Sequence, residues 1–200
     1  MKAYKFVAAF GLCAAASLFG AKSHAGEVAK AIDAGTLTDS DAVAYMVYGL
    51  EDGGRLRLNS QEVATITRVG GLLTSKDPYG FEMEFGRGGP SNIISVQNTS
   101  RCKYTVQILA YSASRKVFND LIPRKTVVNL DFSKVLRTSV VRGSEYPLRS
   151  ELVALGCTPV ENGEGMCDGL AKSKLATAAE GPTLLKTFVY FRNKFCPRQQ

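Results

Sequence analysis

The stretch 103-KYTVQILA-110 decides the fold class, because its side chains sort onto the two sides of an extended chain. One side carries Tyr104, Val106 and Ile108, and the other carries Thr105, Gln107 and Leu109. A two-residue period with one wholly apolar or aromatic side is typical of a β-strand that buries one face. The stretch therefore predicts a strand.

The alternating pattern extends in both directions, from Arg55 to Gly156. Phe81, Met83 and Phe85 alternate with Glu82 and Glu84, and further strand patterns lie at 63–68, 93–96 and 126–132. Turns of about three to ten residues separate these strands. A parallel pair would need a connection of about a dozen or more residues each time. We therefore expect an antiparallel sheet.

Helical patterns flank the sheet at both ends. Thr38-Asp39-Ser40-Asp41 is typical of a capped helix start, and apolar residues recur after it at helical spacing until Gly53-Gly54. Leu184, Phe188, Phe191 and Phe195 repeat at helical spacing, and a weaker pattern over 170–180 offers a partner helix. The sequence thus predicts an α+β fold. An N-terminal helix packs on a curved antiparallel sheet, and a disulfide ties down a C-terminal helix or helical hairpin.

The first 25 residues have the features of a secretory signal peptide. Lys2 and Lys5 precede an uncharged apolar run of about 15 residues, and Ser23-His24-Ala25 has small residues at the cleavage positions. The run is shorter than the ~20 residues that a membrane-spanning helix needs. We expect cleavage after Ala25, a flexible segment over 26–36 and a single domain over 37–200. We expect no transmembrane anchor in the mature chain and a periplasmic or secreted location.

Four cysteines remain after Cys13 leaves with the signal peptide, namely Cys102, Cys157, Cys167 and Cys196. An even number in an oxidising compartment favours two disulfides, and the lack of a close C-x-x-C pair argues against a zinc site. The expected elements favour Cys102 with Cys157, on adjacent strands, and Cys167 with Cys196, at one end of a helical hairpin. A local Cys157–Cys167 bridge remains open.

The mature chain has no histidine, because His24 is the only one in the sequence. Its loss excludes Ser-His-Asp, Cys-His and histidine–metal chemistry, so we expect no metal, no other cofactor and a non-enzymatic protein. The remaining acid–base candidates are Glu82 and Glu84, which share one face of a strand, and Asp131. Paired carboxylates can cleave a glycosidic bond. A hydrolase of envelope polysaccharide is therefore the alternative.

The charge pattern gives no sign of a nucleic-acid partner. Lys2, Lys5 and Lys22 leave with the signal peptide, so 22 basic residues remain against 18 acidic ones and the net charge falls from +7 to +4. The basic residues are scattered, without the interleaved aromatic side chains of a nucleic-acid surface. We therefore expect no nucleic-acid binding.

Tyrosines at or near strand ends are the candidates for a ligand site. They are Tyr79, Tyr104, Tyr111 and Tyr146. A helix across a curved sheet leaves a concavity on the uncovered side, and the strand ends open into it. The sequence thus favours a binding or interaction domain of the cell envelope, with an envelope protein, a glycan or a small apolar ligand as its partner. A purely structural envelope protein would instead expose a broad apolar patch without a deep pocket.

Overall fold

The fold is that of a computed structural model, which describes residues 26–58, 61–70, 79–86, 89–113, 121–135, 137–141, 149–153, 155–171 and 181–197. Side chains are described at all of these except 56–58, 61–63, 70, 79, 137–141, 149–153, 168–171 and 181. The predicted signal peptide, residues 1–25, lies outside the described residues.

The strands form two antiparallel sheets in the described part of the chain. The strands are β1 (Arg55–Leu58), β2 (Gln61–Gly70), β3 (Tyr79–Phe85), β4 (Ser91–Ser100), β5 (Lys103–Tyr111), β6 (Arg124–Asp131), β7 (Arg137–Val141), β8 (Arg149–Val153) and β9 (Gly156–Glu161). The main sheet has seven strands in the order β1-β2-β3-β4-β5-β6-β9. All of its neighbouring strands are antiparallel, and β7 pairs with β8 separately. The predicted antiparallel sheet is confirmed.

One face of the main sheet, which we call the core face, carries the inward residues predicted for β5. Tyr104 and Val106 are buried there, whereas the residues between and after them are half-buried. Val106 stands opposite Val96 of β4 and Val128 of β6, and all three valines are buried. The three valines form a continuous apolar row across the central strands, on the face that the sequence alternation predicts to be buried.

Four α-helices accompany the sheets in the described residues. They are α1 (Glu27–Asp33), α2 (Asp39–Tyr48), α3 (Glu164–Ala171) and α4 (Gly181–Lys194). Helix α1 lies within the segment 26–36, for which the sequence predicts flexibility. Residues 172–180, which hold most of the predicted partner helix of α4, lie outside the described residues. None of the described helices has the length and apolar character needed to span a bilayer.

Helix α2 has a defined cap at each end. The Thr38 Oγ1 atom accepts a hydrogen bond from the backbone N–H of Asp41 at 3.1 Å, which satisfies a donor that the first turn leaves free. At the other end, Gly49 has a φ of 68°, a left-handed conformation that glycine adopts without steric cost. The helix therefore ends at Tyr48, earlier than the Gly53-Gly54 pair that the sequence pattern indicated.

The N-cap can be tested with the substitution Thr38→Ala, which removes the acceptor of the Asp41 N–H. We expect the free energy of unfolding to fall by about 1 kcal/mol in a urea titration. Thr38→Ser is the matched control, because it keeps the hydroxyl, and it should leave stability nearly unchanged. Equal losses in both variants would contradict the capping role.

Helix α4 packs on the core face through an aromatic cluster. The rings of Tyr104, Phe132 and Phe191 contact one another with centroid separations of 5.7, 5.8 and 5.2 Å, and Phe195 lies 6.0 Å from Phe191. Phe191 and Phe132 have no exposed surface. Phe191 belongs to the apolar helical stripe that the sequence predicts for the C-terminus. It connects α4 to β5 through Tyr104 and to the turn after β6 through Phe132.

The preferred disulfide pairing was wrong. Cys102 is bonded to Cys196, and Cys157 is bonded to Cys167. The second bridge is the local alternative that the sequence left open, and it links β9 to α3 across a separation of 10 residues. The first bridge spans 94 residues and joins the β4–β5 turn to the end of α4. Cys102 lies close to Cys196 because α4 ends over that turn, where the Arg101 guanidinium also donates to the Pro197 carbonyl at 3.1 Å.

Candidate binding groove at the first turn of helix α2

An open groove of about 290 Å³ lies between the first turns of α2 and the core face of strands β2, β3 and β4. Its lining residues are Thr38, Asp39, Ser40, Asp41, Ala44, Arg68, Phe81 and Val96. The helix supplies four of the eight lining residues, its N-cap Thr38 supplies a fifth, and each of the three strands supplies one. The groove exists only because these segments, distant in sequence, come together.

Apolar side chains form one part of the groove lining. Phe81 of β3 and Val96 of β4 are each 5 % exposed, and Ala44 of α2 is buried. Phe81 pairs with Ile94, so Val96 stands two residues further along β4 on the same face. These three side chains can contact an apolar group of a ligand.

An ion pair forms a second part of the lining. The Arg68 guanidinium lies 2.9 Å from the Asp41 carboxylate, and its central carbon lies 5.0 Å from the centre of the Phe81 ring. The backbone N–H of Arg68 donates to the Asp52 carboxylate at 2.7 Å. The side chain of Arg68 is 38 % exposed. Its guanidinium is therefore positioned by two protein groups while remaining open to solvent.

Asp39 connects α2 to strands β4 and β5. Its Oδ2 atom accepts hydrogen bonds from the Asn98 amide at 2.9 Å and from the Tyr104 hydroxyl at 3.2 Å. Its Oδ1 atom accepts the backbone N–H of Ser40 at 2.8 Å. Burial, and the negative charge of Asp39, raise the pKa of Tyr104, so its hydroxyl stays protonated and donates. These bonds fix the polar end of the groove.

The predicted tyrosines do not come together in one site. Tyr104 is buried in the core beside the groove, with its hydroxyl on Asp39. Tyr111 ends β5 seven residues later on the opposite face, roughly 23 Å away along the strand. Tyr79 begins β3, but its side chain is outside the described set, and Tyr146 lies outside the described residues.

The predicted carboxylates lie away from the groove. Glu82 and Glu84 share the face of β3 opposite the core face, since they alternate with Phe81 and Met83. Glu82 is only 3 % exposed, whereas Glu84 is half-buried. Asp131 is on β6, three strands away and six residues further along, roughly 25 Å from Glu82. Asp131 therefore cannot act together with the two glutamates.

Sequence reasoning missed Asp41 and Arg68 as a pair. The available signal was the register of β2, in which Ala64 and Ile66 are buried and Arg68 follows on the same face. A charged residue in the inward register of a strand needs a partner of opposite charge. The acidic first turn of α2 supplies that partner.

No protein-family model matches this chain, and neither the curated proteins nor the solved structures include a significant match. Within the described residues, no group of three or more histidine, cysteine, aspartate or glutamate side chains is arranged to hold a metal ion.

Proposed function

We propose that this chain is an exported, non-enzymatic binding domain of the periplasm or the extracellular space. Its binding site is the groove beside α2, and its ligand is a small molecule with an apolar part. In this proposal α2 covers one side of a curved sheet, and residues 37–200 act as one domain. The observation that carries the proposal is the groove itself, which combines an apolar wall with fixed charged groups.

The size and chemistry of the groove support this assignment. Its volume of about 290 Å³ lies just below the range that ligand pockets in proteins span, roughly 300–1,000 Å³, so it suits a small ligand. Such pockets pair apolar walls with a few positioned polar groups. The lining includes no histidine, cysteine or lysine, so the Thr38 and Ser40 hydroxyls have none of these groups beside them in the groove. The lining is therefore better suited to binding than to nucleophilic catalysis.

The two disulfides support the exported location. Stable disulfides form in oxidising compartments, and each bridge here connects separate elements of the fold.

Filling the groove tests the proposal directly. Ser40→Phe adds a ring at a half-buried position of the lining and keeps the Ser40 N–H that Asp39 accepts. Thr65→Phe is the matched control, because Thr65 is exposed on the opposite face of β2. We expect small amphiphilic fragments to shift the backbone amide resonances of Ala44 and Val96 in the natural protein and in Thr65→Phe. These shifts should be absent in Ser40→Phe.

Two results would overturn the proposal. In one, no fragment shifts the groove resonances of the natural protein at millimolar concentration. In the other, Ser40→Phe binds the same fragments with unchanged affinity.

The burial of Glu82 favours one second candidate, an envelope polysaccharide hydrolase. Glu82 is only 3 % exposed and shares its strand face with Glu84, and paired carboxyl groups in different environments can divide the roles of acid and base. The double variant E82Q/E84Q should then lose all cleavage of peptidoglycan and other envelope glycans. If the natural protein cleaves none of these glycans, the hydrolase candidate is removed.

A structural envelope role has weaker support. Leu185 and Val189 are one turn apart on α4, with exposures of 53 % and 49 %. The other large apolar side chains exposed in the described residues are Ile122, before β6, and Val160, on β9. In this part of the chain, α4 therefore presents only two such side chains, fewer than the broad patch that this role requires.

A further inference from the structure

We infer that the ligand of the groove is an organic cation, namely a small ammonium compound with an apolar or aromatic body. This inference rests on the proposed function and specifies its ligand class. Three observations carry it: the net charge of the lining, the occupied N–H donors of α2, and the position of the Arg68 guanidinium.

The charged side chains of the lining sum to a negative charge. Asp39 and Asp41 are acidic, and Arg68 is the single basic residue among the eight lining residues. The Asp41 carboxylate contacts Arg68 through its Oδ1 atom at 2.9 Å, and its side chain is 18 % exposed. A carboxylate has acceptor capacity at both oxygens. Asp41 can therefore accept a second cationic donor from the groove.

The N-terminus of α2 offers little to an anion, although helix N-termini commonly bind anions. The N–H of Ser40 donates to the Asp39 carboxylate, and the N–H of Asp41 donates to the Thr38 hydroxyl. The helix has thus satisfied these donors with its own side chains. An anion would have to displace these bonds and approach two carboxylates, so the groove discriminates against it.

Arg68 shows where a cation is favourable in this groove. Its guanidinium lies against the Asp41 carboxylate and within 5.0 Å of the Phe81 ring centre. A cation near an aromatic face gains electrostatic attraction from the ring, in addition to its attraction to the carboxylate. An ammonium ligand would use the same two groups and place its apolar body against Val96 and Ala44. Arg68 is then an internal competitor of the ligand.

Three probes of similar size and different charge test the ligand class. They are 2-phenylethylammonium, 2-phenylethanol and phenylacetate, titrated into the mature protein and followed by the amide resonances of Ala44 and Val96. We expect the ammonium probe to bind several-fold more tightly than the alcohol, and phenylacetate to bind most weakly. We expect the preference to shrink as salt is raised from about 10 mM to about 500 mM, because salt screens exposed charges.

Charge variants with opposite expected effects sharpen the test. Asp41→Asn should weaken binding of 2-phenylethylammonium by up to about fivefold, the range of a solvent-accessible ion pair. Arg68→Gln should strengthen it by a similar factor, because the competing cation is gone. Glu161→Gln is the matched control, since Glu161 forms an exposed ion pair with Lys125 on the far edge of the sheet. This control should leave the affinity unchanged, and circular dichroism should show all three variants folded.

The outcomes separate the ligand class from the proposed function. If none of the three probes shifts the groove resonances, and no other fragment does so, the proposed function fails. If phenylacetate or 2-phenylethanol binds as tightly as the ammonium probe, and Ser40→Phe abolishes that binding, the groove is a binding site and the cationic ligand class is wrong. Weaker ammonium binding in Arg68→Gln would likewise overturn the inference, because it would make Arg68 a ligand-binding group.

Discussion

The double variant C102A/C196A should lose about 4–5 kcal/mol of unfolding free energy relative to the natural protein. The Cys102–Cys196 bridge closes a loop across a sequence separation of 94 residues, and the entropy that a crosslink removes from the unfolded chain grows with loop length. A loss of this size is a large fraction of the total stability of a typical domain. The measurement is urea unfolding of the protein, followed by circular dichroism.

The second bridge provides the matched comparison. Cys157 and Cys167 are separated by 10 residues, so the same relation gives about 2.7 kcal/mol for C157A/C167A. The long bridge should therefore contribute about 2 kcal/mol more than the short one. Equal losses, or a larger loss for the short bridge, would contradict the unfolded-state explanation. If C102A/C196A does not fold at all, C157A/C167A still tests the loss of about 2.7 kcal/mol expected for the short bridge.

Phe191→Ala should destabilise the domain by about 3–5 kcal/mol. Phe191 has no exposed surface and contacts Tyr104, Phe132 and Phe195. Truncation removes the aromatic contacts and leaves a cavity among rings that belong to β5, α4 and the turn after β6. Because these elements are held by different parts of the chain, they cannot all move inward to fill it.

Val189→Ala is the control for this substitution on the same helix. Val189 is 49 % exposed, two residues before Phe191, so its truncation should change the free energy of unfolding by less than about 1 kcal/mol. Thermal and urea unfolding of both variants give the comparison. Alanine is the better helix former at both positions, so helix propensity cannot cause a loss. Similar losses in the two variants would therefore contradict the role given to the burial of Phe191 in the aromatic cluster.

The strands were predictable because the period of two residues is a local property. Tyr104 and Val106 are buried as the stretch 103–110 predicts, and short connections require antiparallel neighbours. The start of α2 was predictable for the same reason, since Thr38 and the residues after it carry a local cap. The end of α2 was misplaced because several glycines follow the helix, and the sequence does not show that Gly49 adopts the left-handed conformation.

The disulfide pairing was not predictable from the order of the elements. The preferred pairing assumed that Cys167 and Cys196 close a helical hairpin. Instead α4 packs against α1 and α2, and its end lies at the β4–β5 turn. There the Arg192 guanidinium donates to the carbonyl of Phe132 at 3.2 Å, and the Phe132 N–H donates to the Cys102 carbonyl. Such a docking depends on the aromatic cluster and on packing between segments about 90 residues apart. A local sequence pattern does not show which segments so far apart in the chain will pack together.

By itself the sequence determined the α+β class, the antiparallel pairing and the identity of the cysteines that form disulfides. These features follow from local periodicity, connection length and the even cysteine count. Only the tertiary structure decided which cysteines pair and where a ligand can bind. In the groove, Arg68 of β2 contacts both Asp41 of α2 and Phe81 of β3. The physical reason is that pairing and cavity shape depend on how helices dock on the sheet, which arises from many long-range contacts together and not from any one segment.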